Sequence, residues 1–135
     1  MKCPHKALVA LVDGENFVLA RNEGQPFEPK LSLVSRPELE ATNFSAGAHD
    51  HDDVGQRTGS SDLNELAHAA AAAEWLNGLA LGGEIDDLII IADPKSLGEM
   101  RRHYHKELKA RLIGEIDKAI ANDNLESVAQ AIVKN

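Results

Sequence analysis

The residues best suited to chemistry in this sequence fall in two clusters. Arg101, Arg102, Lys106, Lys109 and Arg111 lie within eleven positions, interleaved with His103, Tyr104 and His105. Such a run can face an anion. It stands against a chain whose formal net charge is −8, which excludes broad nonspecific nucleic-acid binding by counterion release. The plainer reading of the run is a solvated helix face. The second cluster, His49-Asp50-His51-Asp52-Asp53, is dense in imidazole and carboxylate. Adjacent ligands in a loop lose chain entropy on binding, and no cysteine pair or second histidine pair at zinc spacing accompanies them, so no metal site is assigned. His103 and His105 diverge by about 200° on a helix and do not chelate together. His68, on an alanine-rich helix, reads as a surface or rim residue. No phosphate loop, dinucleotide fingerprint or nucleophile elbow is present. No catalytic triad and no cofactor is assigned.

These residues must be positioned by a chain of 135 residues, 43% hydrophobic, the size of one globular domain. The lone cysteine, Cys3, excludes an intrachain disulfide and reads as an ordinary residue near the N-terminus. The apolar run at 7–12 stops at Asp13, too short for a signal peptide or a membrane span, so a cytoplasmic protein without membrane contact is expected. Residues 7–12 and 16–20, separated by Asp13-Gly14, predict an antiparallel strand pair. Residues 31–34, bounded by Pro29 and Pro37, predict an edge strand. From about 38 to 61 the chain is polar and rich in Gly, Asp, His and Ser, which predicts a long flexible loop.

A helix is predicted from near Asp62 to Gly82-Gly83, with Leu63, Leu66, Ala70, Ala73, Leu76 and Ala80 as its packing stripe and Trp75 at its rim. Residues 88–92, apolar throughout, predict a central strand covered on both faces. Asp93-Pro94 supplies a cap and first-turn proline for a helix through Met100 and Tyr104. A helix to about Ala110, a strand over 112–116 and a final helix over 125–133 complete a mixed α/β sheet of about five strands with helices on both faces.

Specific segments carry a resemblance. Pro4-His5, Val12-Asp13-Gly14-Glu15, the run Pro94-Lys95-Ser96-Leu97-Gly98-Glu99-Met100-Arg101, His105-Lys106-Glu107-Leu108 and Gly114-Glu115-Ile116-Asp117-Lys118 resemble, in this order, the bacterial proteins named as required for attachment to host cells. That family is similar to the central domain of archaeo-eukaryotic peptide-chain release factors, which implies an RNase-H-like fold. In release factors the loop before the long helix carries a Gly-Gly-Gln tripeptide that promotes peptidyl-tRNA hydrolysis. Here Val54-Gly55-Gln56-Arg57 corresponds to it. Gly55 and Gln56 match, whereas Val54 replaces the first glycine and does not readily adopt a positive φ. RNase-H-like enzymes also hold Mg²⁺ on acids at the ends of adjacent central strands; Asp13 and Asp93 fall at two such ends, with Glu74 or Asp117 as a third.

The expectation is therefore a noncatalytic interaction module that contacts ribosome, RNA or a protein and acts indirectly on host attachment. Its expected surface is Gly55, Gln56 and Arg57 together with Arg101, Arg102, His105, Lys106 and Lys109. The alternative is a hydrolase, acting on peptidyl-tRNA through Gln56 or on nucleic acid through Asp13 and Asp93. The sequence leaves the oligomeric state open.

Overall fold

The computed structural model describes residues 1–39 and 56–135, and for 56–62 the backbone only. Five strands form one sheet: β1 (Leu8–Val12), β2 (Phe17–Asn22), β3 (Leu31–Ser35), β4 (Leu88–Ala92) and β5 (Leu112–Asp117), in the spatial order β3-β2-β1-β4-β5. The helices are α1 (Gln56–Leu81), α2 (Pro94–Arg101), α3 (Lys106–Arg111) and α4 (Leu125–Lys134). β1 pairs antiparallel with β2 and parallel with β4, and β4 pairs parallel with β5. The two strands without a polar residue, β1 and β4, occupy the centre. Every residue in both is buried.

Alternation along these strands divides the core. Leu8, Ala10, Val12, Leu88, Ile90 and Ala92 pack with Leu76 and alanines of α1, Leu97 and Met100 of α2, and Leu108 of α3. Val9, Leu11, Ile89 and Ile91 face the other way, against Val128 and Ile132 of α4 and against Cys3. Helices therefore cover both faces, as the apolar run at 88–92 requires. Each fully buried isoleucine of β4 contributes about 1.5–3 kcal/mol relative to exposure. Cys3 is buried, and that burial pushes its thiol pKa up, consistent with an inert packing role.

Local chemistry sets the boundaries. Asp93 caps α2, its side chain accepting from the Ser96 amide at 3.1 Å, with Pro94 in the first turn. Asn124 caps α4 through the Ser127 amide at 2.8 Å. Gly83 takes φ +74° just beyond α1, the left-handed geometry that ends a helix. β3 sits at the sheet margin between its two prolines, with a register shift against Leu19 and Ala20.

Three expected boundaries need correction. The long helix starts at Gln56 rather than near Asp62, so the end of the expected 38–61 loop is helical. Propagating an existing helix costs little per residue, and no proline stops it from running back through Thr58 and Ser60. Of that expected loop, residues 40–55 lie outside the described residues, His49-Asp50-His51-Asp52-Asp53 among them. The helix that begins at Pro94 stops at Arg101, before Tyr104. His103 donates its amide to the Met100 carbonyl, a tighter turn that ends it. β2 runs from Phe17 to Asn22, starting one residue and ending two residues later than expected.

Candidate functional site

The C-terminal ends of β1 and β4 meet where the chain order of the sheet reverses. In open α/β sheets this crevice is the usual ligand position. Asp13 closes the β1–β2 turn: its Oδ1 accepts from the Glu15 amide at 2.8 Å and the Asn16 amide at 2.6 Å, and its Oδ2 from Asn16 Nδ2 at 2.9 Å. Burial works to raise the Asp13 pKa, but these hydrogen bonds together outweigh it and the net shift is downward. His68 of α1 reaches the Asp13 carbonyl through Nδ1 at 2.8 Å. Glu65, one turn earlier, pairs with Lys95 of α2 at 3.2 Å. Gly14 leaves room for Glu65: a Cβ there would stand 2.5 Å from Glu65 Cγ and would displace that side chain. His68 is thus a rim residue that latches α1 to the sheet.

A magnesium site does not fit this edge. Asp13 is occupied by the turn, and Asp93 Oδ2 by the cap of α2. Asp93 Oδ1 is buried without a hydrogen-bond partner, a single atom shut off from the waters that complete a Mg²⁺ shell. No three His, Cys, Asp or Glu residues gather in metal-binding geometry among the described residues.

α1 extends beyond this crevice. Gln56 precedes His68 by twelve residues, so the start of α1 lies about 18 Å farther along the helix axis than the latch. Arg57 follows it on the same first turn, and Gly55 lies outside the described residues. The basic cluster sits at the opposite end. Asn77 of α1, 94% buried, donates to the His103 carbonyl at 2.7 Å and accepts from the His105 amide at 2.9 Å. Gln56 and Asn77 are twenty-one residues apart on one helix, about 32 Å. The fold therefore does not bring Gln56 and Arg57 together with His105, Lys106 and Lys109 into one patch.

Within the basic cluster, acids of α2, α3 and β5 take up most of the charge. Arg101 binds Glu115 of β5 through Nε at 3.1 Å and Nη2 at 2.9 Å. Tyr104 donates its hydroxyl to the other oxygen of Glu115 at 2.8 Å, and burial followed by this bond pushes the Tyr104 pKa far up. Arg102 pairs with Glu99 at 3.3 Å, and His103 with the same carboxylate at 2.8 Å. Arg111 binds Glu107 at 3.0 Å and the Ile85 carbonyl at 2.8 Å. His105 caps α3, its Nδ1 accepting from the Glu107 amide at 3.0 Å. Lys106 and Lys109 are exposed and make no side-chain hydrogen bond or ion pair among the described residues. They are the cations of this cluster left for a partner.

The i,i+4 spacing of Glu107 to Arg111 and Glu99 to His103 was visible in the sequence. The Glu115 pairing was not, because it depends on β5 lying beside α2.

The sequence model of the bacterial archaeo-eukaryotic release factor family 12 matches residues 6–132. The chain belongs to that family. No curated protein matched it. For a family 12 member, kinship with release factors directs attention to the start of α1 at Gln56, and the mixed α/β sheet is in keeping with it. No helix among the described residues is long and apolar enough to cross a membrane.

Proposed function

We propose that this protein is a noncatalytic cytoplasmic module that contacts the ribosome or its RNA. The observation that carries the reading is the position of Gln56: in a release-factor-family chain, it opens a helix that projects about 18 Å past the Asp13 latch at the sheet's carboxyl edge. Lys106 and Lys109 offer a second contact about 32 Å along α1, a span that suits a large polyanion better than a small ligand. Val54 in place of the first glycine supports binding without hydrolysis. An effect on attachment to host cells is then indirect, through translation.

The test is cosedimentation with ribosomes at about 50 and 200 mM salt, where electrostatic contacts separate clearly. Wild type should pellet with ribosomes at the lower salt, and Gln56→Ala and the Lys106→Gln/Lys109→Gln pair should each weaken it. Wild type remaining in the supernatant at low salt refutes the proposal. Peptidyl-tRNA hydrolysis by wild type that Gln56→Ala abolishes replaces it with the hydrolase reading. A Mg²⁺-dependent nuclease activity lost in Asp13→Asn and Asp93→Asn replaces it with the nuclease reading.

A further inference from the structure

We propose that the protein self-associates through the groove between β3 and α4, with Phe27 of each copy seated in the groove of the other. The groove has a volume of about 570 Å³, and its apolar lining is Phe27, Pro29, Leu31, Ala129 and Val133. Phe27 is 63% exposed. Leu33, 50% exposed, continues the apolar strip along the same face of β3.

Phe27 is held out on a fixed support. Gln25 and Glu28 exchange both backbone hydrogen bonds, at 3.1 and 3.2 Å, which leaves Pro26 and Phe27 at the tip of a two-residue turn. Beneath it the fully buried Asn22 accepts from the Gly24 amide at 2.7 Å and the Lys30 amide at 3.0 Å, and donates to the Cys3 carbonyl at 2.8 Å. A preorganised aromatic knob loses little entropy on docking, and buried aromatics are the usual anchors of interfaces.

The charge around the groove selects a second copy as the occupant. Its rim carries Glu28 and Glu126 against Lys30 and Lys134. An isologous interface brings the same surface against itself, so a rim that carries both signs lets the lysines of each copy meet the acids of the other. This rim is neutral on a chain of net charge −8, whereas an RNA would call for a cationic rim.

Sedimentation equilibrium across micromolar to millimolar protein tests the proposal. The wild type should show a concentration-dependent dimer. Phe27→Ser, an exposed position, should weaken association at least tenfold with an unchanged circular dichroism spectrum. Lys30→Glu with Lys134→Glu leaves four acids on each rim; it should abolish the dimer at low salt and let it partly return at high salt. A wild type that stays monomeric throughout overturns the proposal, as does dimerisation indifferent to Phe27→Ser. Weakening by the rim variant that salt does not relieve overturns the charge argument on which the choice of occupant rests.

Discussion

Neutralising Lys106 and Lys109 is predicted to cut the salt dependence of RNA binding, while neutralising Arg101 and Arg102 leaves it nearly intact. Each lysine that contacts a phosphate contributes about 0.9 to the slope of log K against log salt on a duplex and about 0.7 on a single strand. Lys106→Gln with Lys109→Gln should therefore lower the slope by about 1.8 or 1.4. Between about 50 and 200 mM salt, the wild type would lose roughly tenfold more duplex affinity than the variant. Arg101 is tied to Glu115 through two nitrogens and Arg102 to Glu99, so a phosphate must compete with a carboxylate already in place. Arg101→Gln with Arg102→Gln should change the slope by well under 1. Both arginines are largely exposed, and their mostly buried partners Glu115 and Glu99 keep Tyr104 and His103, so the loss should lower stability by about 1 kcal/mol. Fluorescence anisotropy with a labelled ribosomal RNA fragment over a salt series reads the slopes directly. The reasoning is refuted if the arginine pair carries the slope and the lysine pair does not, because the acids would then not be neutralising the cluster.

Three further outcomes concern the fold. Asn22→Leu keeps volume but strands the Gly24 and Lys30 amides and the Cys3 carbonyl, which predicts a loss of about 3 kcal/mol, or roughly 10 °C in Tm, by thermal denaturation. Gly24→Ala places a Cβ 2.7 Å from both the Glu28 carbonyl oxygen and the Lys30 nitrogen, backbone atoms that move only with the turn, so about 1–3 kcal/mol should be lost in urea unfolding. Asp13 titrates below the ordinary aspartate range, so its carboxylate adds stability above the unfolded value near 3.9 that disappears as pH falls through the folded one. Asp13→Asn keeps an oxygen for the two backbone amides, so its deficit at pH 7 should be no more than about 1 kcal/mol and should vanish in acid; a deficit of equal size at both pH values would contradict that account.

The parts of the fold that could be read from the sequence are those where one local signal dominates. The apolar run at 88–92 followed by Asp93-Pro94 specifies a covered strand and the capped start of a helix with no knowledge of the rest of the chain, and both form as read, although the helix ends earlier than Tyr104. Trp75 was legible as a rim residue, and it packs edge-on against Phe17 with ring centres 5.3 Å apart. The start of α1 was not legible, because Gln56 to Ser61 has no apolar stripe and contains Gly59, which disfavours helix locally. In such a segment the helix behind it decides, by cheap propagation.

The candidate site was less legible because charge in a sequence is a count, whereas charge at a surface is a balance of partners. Five basic residues in eleven positions look like an anion-facing patch, yet Glu99, Glu107 and Glu115 take up Arg102, Arg111 and Arg101. Glu99 and Glu107 each lie within four residues of the arginine they pair with and follow from spacing; Glu115 comes from a strand that only the crossover brings near. The same distinction governs the buried asparagines Asn22 and Asn77. Asn22 and Asn77 carry no pattern a sequence displays, but each ties together backbone groups from segments more than fifteen residues apart. Asn77 fixes His105 and the start of α3 at one end of α1, while His68 fixes the Asp13 turn nearer the other. The separation of Gln56 from Lys106 and Lys109 is thus a consequence of where two polar latches fall along one helix. A partner that engages both ends must be long enough to span them.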